Sequence, residues 1–196
     1  MASFENTLCT SRVKLAAVGG ALLLLGCAAS SAHTSAAARD VSPASLYPLR
    51  EGSAWSYDVD AGDGQSVLAT SSVLRVQHGL VEVRSGQGVQ RYVLAPDGIK
   101  RGQGEAYLLR APIAAGSRWP AGPSTEAQVT AIGQQVRTPA GDFDACVVVE
   151  EQNTSSGQHI TTTYCPGVGP VRVESRMQVR GQTLRVAAVL RGFNVP

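Results

Sequence analysis

The clearest indication of the fold class is the run Thr183-Leu184-Arg185-Val186-Ala187-Ala188-Val189-Leu190. Its even-numbered positions are all apolar, whereas the positions between them include a threonine and an arginine. A period of two with one apolar face is typical of an antiparallel strand that buries only one side. The same alternation recurs in residues 55–59, 81–84 and 171–174. The sequence therefore predicts a sheet whose strands each have an inner and an outer face.

Short turns that contain glycine separate these alternating runs. They lie at residues 62–64, 86–88, 96–98, 155–157 and 180–182, and such clusters join the strands of hairpins. From Tyr47 onward the sequence shows no helical period. We expect an all-β fold: nine or ten strands in a single curved antiparallel meander, shaped as a barrel, half-barrel or sandwich-like sheet over residues 47–196.

The composition excludes several classes of protein. The chain has 196 residues, 17 lysines and arginines against 15 acidic residues, and a formal net charge of +2. So small a charge gives no basic footprint for nucleic acid, and the length is that of one domain. We exclude a nucleic-acid-binding protein, a coiled coil, a multispan membrane protein and a disulfide-dense miniprotein.

The N-terminus, residues 1–26, is predicted to be an export signal. Arg12 and Lys14 precede an uncharged run, residues 15–26, which is shorter than the roughly 20 residues that span a bilayer. The run ends in Leu24-Leu25-Gly26-Cys27, which resembles the lipobox of bacterial lipoproteins. The resemblance implies cleavage before Cys27 and a diacylglycerol on its sulfur. The protein would then be attached to a membrane through its N-terminal acyl chains. The alternative is an ordinary secretory signal that is cut a few residues later, which would make Cys27 incidental.

Residues 27–46 are small and polar with no apolar period, which predicts a lipidated flexible tether. Ala28 follows the cysteine, and a residue other than aspartate there resembles the outer-membrane sorting pattern of Gram-negative lipoproteins. We therefore expect a lipid-anchored protein of the cell envelope, at the outer membrane.

Two further cysteines flank a predicted hairpin. A turn centred between Ser155 and Ser156 places Cys146 opposite Cys165 and Val147 opposite Tyr164. Side chains directly opposite each other in such a pair lie close to disulfide distance, and an exported chain meets oxidising conditions. We predict a structural disulfide; the alternatives are a redox-active pair, which the absence of a C-x-x-C motif disfavours, and free thiols.

A short repeat contains both tryptophans. The pattern P-[LI]-x-x-G-S-x-W occurs at residues 48–55 and again at residues 112–119, ending in Trp55 and Trp119. Proline and glycine would bend the chain into a strand, and each tryptophan would cover one end of the interior. The two residues are candidates either for the mouth of a ligand site or for structural corners of the core, and the second interpretation is favoured because buried aromatic residues usually belong to a core.

Three glycine-based motifs carry a further resemblance. They are the opening at residues 47–57, the strand entry Pro139-Ala140-Gly141-Asp142-Phe143 and the hairpin Tyr164-Cys165-Pro166-Gly167-Val168-Gly169. Together they resemble a loose group of bacterial lipoproteins and exported β-proteins with no assigned activity. The resemblance implies a curved antiparallel sheet and no particular chemistry.

Motifs for catalysis are missing from the sequence. The three histidines have no ligand spacing, no G-x-S-x-G elbow is present, and Glu150 and Glu151 face opposite sides of a strand. We nominate no catalytic residue, metal ligand or cofactor, and expect a non-catalytic interaction or scaffold module with an unidentified partner. The alternatives are a carrier or chaperone for a lipid or other apolar ligand, and an enzyme whose site the sequence does not reveal.

Overall fold

A computed structural model describes residues 41–62, 64–102, 104–179 and 181–196. The predicted signal peptide, Cys27 and the tether as far as residue 40 lie outside these residues. One short helix, α1 (Pro43–Leu46), precedes twelve strands. The strands are β1 (Ala54–Asp60), β2 (Ser66–Gln77), β3 (Leu80–Ser85), β4 (Gly88–Ala95), β5 (Gly98–Arg101), β6 (Tyr107–Arg110), β7 (Arg118–Gly122), β8 (Thr125–Thr138), β9 (Gly141–Asn153), β10 (His159–Cys165), β11 (Gly169–Val179) and β12 (Gln182–Asn194).

All twelve strands belong to one antiparallel sheet in the order β6-β5-β4-β3-β2-β1-β12-β11-β10-β9-β8-β7. Each strand pairs with its neighbours in the chain except that β6 and β7 do not pair with each other, and β1 also pairs with β12. The sheet curls into a nearly closed barrel whose two edge strands are β6 and β7. An ion pair from Arg101 on β5 to Glu151 on β9 crosses the interior. The predicted all-β curved meander is confirmed.

The number of strands differs from the nine or ten expected, because β5, β6 and β7 have only four or five residues each. Runs this short contain too few alternations to stand out in the sequence. Five predicted turns, in contrast, all lie between consecutive strands.

The folded domain begins before Tyr47, the predicted boundary. Ser42 caps α1 by accepting a hydrogen bond from the backbone N–H of Ser45, and Pro43 occupies the first turn. Proline suits this position, where its missing N–H costs nothing. Leu46 is completely buried, so residues 42–46 belong to the domain rather than to the tether.

The hairpin of β9 and β10 has the predicted register. Val147 lies opposite Tyr164, Val149 opposite Thr162 and Glu151 opposite Ile160. One step further along, Cys146 and Cys165 form a disulfide with their Cα atoms 4.2 Å apart. The bond ties the two strands together beside the core, where both cysteines are buried.

Candidate functional site

An aromatic cluster, which we call the aromatic floor, lies within the buried core of the barrel. The Tyr47 ring lies 5.2 Å from Trp55, 6.2 Å from Tyr92 and 6.3 Å from Tyr164, measured between ring centroids. All four residues are buried, and such tilted and edge-on contacts stabilise aromatic pairs. Burial raises the pKa of the Tyr47 and Tyr164 hydroxyls well above the ordinary value, so both phenols stay protonated at physiological pH.

The turn between β10 and β11 completes the floor. Trp55 Nε1 donates a hydrogen bond of 2.6 Å to the carbonyl of Val168. Gly169 follows with a φ of +112°, and a Cβ at that position would lie 2.9 Å from Trp55 Nε1. The G-V-G sequence of this hairpin is therefore required by the packing of a tryptophan and by a positive φ.

A polar pair lies beside the aromatic floor. Arg101 Nη2 donates to Glu151 Oε1 at 2.5 Å, and Glu151 is only 6% exposed. Burial raises the pKa of the Glu151 carboxyl, an effect that the adjacent Arg101 only partly offsets. Among the described residues Arg101 Nε has no hydrogen-bond partner. Glu150, as predicted, faces the other side of β9, where its carboxylate lies 3.3 Å from His159 Nε2.

Above the polar pair, the inner face of the sheet extends past the barrel as an exposed surface. The strand register shows which side chains belong to this inner face. Trp55 points inward, and because side chains alternate along a strand, Val59 points inward as well. Val59 lies opposite Val67 on β2 and Ala188 on β12, which therefore share the same face. The same parity continues through β12, β11 and β10. We call this surface the apolar wall; it consists of Val59, Val67, Ile160, Met177, Val179, Leu184 and Val186.

The apolar wall is open to solvent. Val67 is 61% exposed, Leu184 50% and Val186 41%. At the inward-facing positions of β1, β2, β11 and β12, the described part of the chain carries no charged side chain. Contiguous exposed apolar patches are uncommon on soluble domains and are typical of binding surfaces.

The outer face of the same strands carries the charges. Arg191 pairs with Asp58 at 2.9 Å, and Glu174 pairs with Arg185 at 3.0 Å and with Arg176 at 3.4 Å. These exposed pairs add little stability, but they keep that side solvated. Among the described residues, the projecting part of the sheet is thus uncharged and apolar on the side that continues the barrel interior, whereas the other side carries these ion pairs and one exposed apolar residue of β2, Leu68.

The two copies of the repeated motif form equivalent corners. In the first, Gly52 N–H donates to the Val73 carbonyl and Val73 N–H donates to Ser53. In the second, Val129 on β8 takes the place of Val73 and makes the corresponding bonds with Gly116 and Ser117.

The two tryptophans differ in one respect. Trp55 is 2% exposed and Trp119 3%, so both are core residues. Trp55 Nε1 has the Val168 acceptor, whereas Trp119 Nε1 has no partner among the described residues. Trp119 also lines a surface cavity of about 460 Å³ with Arg118, Pro120 and Thr154.

The remaining predicted residues are placed as follows. Cys146 and Cys165 form the disulfide, and Cys27 lies outside the described residues. In the described ranges no three His, Cys, Asp or Glu side chains cluster as metal ligands would, and no helix has the length and apolarity to cross a membrane.

Sequence reasoning missed the apolar wall and the Arg101–Glu151 pair. Part of the signal for the wall was present, since Leu184 and Val186 alternate with Thr183 and Arg185, but the register that brings Val67 onto the same face was not readable from the sequence.

Comparisons with known proteins give a distant likeness of structure. No protein-family model matches the chain, and no curated protein matches it. One similar solved structure is a protein described as exported, with a YmcC-like fold, from Bacteroides fragilis: 14% identical, TM-score 0.47, covering 76% of this chain and 98% of the other. Another, a protein described as a lipoprotein from Parabacteroides distasonis, is 16% identical, with TM-score 0.44 and the same coverage. Neither likeness identifies an activity for this chain.

Proposed function

We propose that this chain is a lipid-anchored, non-catalytic binding module of the bacterial cell envelope, attached at the outer membrane through acyl chains on Cys27. The apolar wall is the surface through which it binds. The observation that carries the binding role is the segregation of charge on the projecting strands, since a solvated scaffold would gain nothing from leaving Val67, Leu184 and Val186 uncovered.

The anchor is supported by the sequence Leu24-Leu25-Gly26-Cys27 at the end of an apolar run. Two or more acyl chains hold a protein stably on a membrane, whereas one does so only marginally. The chain's near-zero net charge supports attachment by acyl chains rather than by attraction to anionic lipid.

Metabolic labelling tests the anchor. Cells that express the full chain are fed a clickable fatty acid, and we expect the label on the natural chain but not on Cys27→Ala. Cys9→Ala is the matched control, since Cys9 lies in the predicted signal, and should label as the natural chain does. Equal labelling of the natural chain and Cys27→Ala would contradict lipidation at Cys27. Membrane fractionation of the same cells tests the location, and recovery of the labelled chain in the inner membrane alone would exclude the outer-membrane assignment.

Photo-crosslinking tests the binding surface. A photoreactive amino acid is placed at Leu184 on the apolar wall or, as the control, at Thr183 on the outer face of the same strand. We expect adducts in intact cells from position 184 and not from position 183. Failure to find any adduct at position 184 would refute the binding role.

A further inference from the structure

We infer that the occupant of the apolar wall is the acyl chain of a membrane lipid, lying along the wall with its headgroup toward solvent. The inference rests on the proposed binding function and names its ligand class. It follows from three properties of the wall: its charge, its backbone and its curvature.

In the part of the chain that the structure describes, the wall has no charged side chains, which suits an uncharged occupant. The inward-facing positions of its four principal strands carry no charged side chain among the described residues, whereas the outer face carries the Asp58–Arg191 and Glu174–Arg185 pairs. An ionic partner would lose hydration on this surface without gaining a counter-charge. A hydrocarbon chain has no such cost and is stabilised by each methylene that it buries.

The backbone of the wall offers nothing to a peptide laid across its apolar face, because the N–H and C=O groups of a strand point in the plane of the sheet. Only β1 is paired on both sides along the wall; β2 before Ser71, β12 before Ala187 and β11 after Arg176 are each paired on one side. A strand added at one of those free edges would extend the sheet sideways and leave the apolar face uncovered. A protein segment laid on the wall would have to satisfy its own backbone groups by other means. An acyl chain has no hydrogen-bonding groups along its length.

The curvature of the wall disfavours a second copy of this chain. The wall continues the inner face that holds Trp55 and Leu190, which is the inside of the barrel. Two such inward-curving faces would touch at their rims and leave a gap between them. An acyl chain is narrow and flexible enough to follow this inner curve. At the buried end of the same inner face it would meet the aromatic floor of Tyr47, Trp55, Tyr92 and Tyr164.

A photoreactive, clickable fatty acid that cells incorporate into their lipids tests the inference. The full chain carries Cys27→Ala, so that any label comes from crosslinking and not from the anchor. We expect a crosslinked lipid, mapped by mass spectrometry to peptides that contain Leu184, Val186 or Val67. Separately introduced Leu184→Asp and Val186→Asp substitutions should lower the label about tenfold or more, because each places an unpaired charge against hydrocarbon.

Matched variants separate this result from simple proximity to a membrane. Thr183→Asp adds the same charge on the outer face and should leave the label unchanged. Leu184→Lys should lower it as Leu184→Asp does; a gain with lysine would show attraction to anionic headgroups and overturn the inference. All these positions are exposed, and equal protease resistance across the variants confirms that the fold is retained.

The remaining outcomes are distinct. Labelling that is equal in Leu184→Asp and Thr183→Asp would overturn the inference. A protein adduct from the photoreactive residue at position 184, or a covalent dimer of this chain, with no lipid on the wall peptides would also overturn it while leaving the proposed binding function standing. If neither lipid nor protein is captured at position 184, the lipid inference and the proposed binding function are both refuted.

Discussion

Replacing Trp55 and Trp119 in turn by phenylalanine isolates one hydrogen bond, because the two residues end matching corners. Both substitutions shrink a nearly fully buried indole to a benzene ring, so the cost of lost packing is similar. Trp55→Phe also removes the 2.6 Å bond to Val168 and leaves a buried carbonyl unpaired. Trp119→Phe removes an N–H group that had no partner among the described residues.

The difference between the two variants can be worked from these contacts. Leaving a buried carbonyl unpaired costs about 1–3 kcal/mol, and removing an unpaired buried donor costs none of this. We expect Trp55→Phe to lower the free energy of unfolding by about 2 kcal/mol more than Trp119→Phe. For a chain of this size that is a difference of roughly 4–8 °C in Tm.

Urea denaturation measures the difference, and each variant keeps one tryptophan as its own fluorescent reporter. Circular dichroism of the same samples controls for local changes around that reporter, and equal m-values confirm that the same surface unfolds. If Trp119→Phe destabilises the protein as much as Trp55→Phe does, the argument from hydrogen-bond satisfaction is wrong.

Three other predictions concern the interior. Replacing Cys146 and Cys165 together by alanine should lower stability by about 3 kcal/mol, since the bond closes a loop with a sequence separation of 19; an unchanged Tm of the natural chain in reductant would contradict this. Burial raises the folded-state pKa of Glu151, so its contribution is fully present below the ordinary carboxyl pKa and is lost as pH rises through the raised value. The stability of the natural chain relative to Glu151→Gln should therefore fall as pH rises from about 4, and a relative stability that increases across a pH series of denaturation curves would refute it. Gly169→Ala should destabilise the protein more than Gly167→Ala in thermal melts, because both have positive φ but only at Gly169 would the Cβ meet the Trp55 ring; equal losses would exclude the clash as the cause.

The parts of the fold that could be predicted from the sequence are those in which neighbours in the chain are neighbours in space. The β9–β10 hairpin is the clearest case, because its turn fixes the register and the register places Cys146 opposite Cys165. A meander consists almost entirely of such local pairings, so alternation and turn residues predict most of it.

What the sequence could not predict depends on pairings distant along the chain. Arg101 and Glu151 meet across the barrel, and nothing in either local pattern indicates the other residue. α1 carried a readable signal, with Ser42 as cap and Pro43 in the first turn, but small and polar residues around it resemble a tether. The apolar wall needed the register of several strands at once, because only then do Val67 and Leu184 lie on one face.

The pairing of β1 with β12 makes the fold suitable for circular permutation. The two strands lie side by side, Arg50 on the approach to β1 bonds the carbonyl of Pro196, and β6 and β7, consecutive in the chain, form the two edges of the sheet. A circular permutant with its old termini joined and new ones opened between residues 111 and 117 would keep every strand pairing. The barrel thus consists of two six-stranded halves, β1–β6 and β7–β12, which are joined by the pairing of β1 with β12. Each half begins with its own corner of proline, glycine and tryptophan.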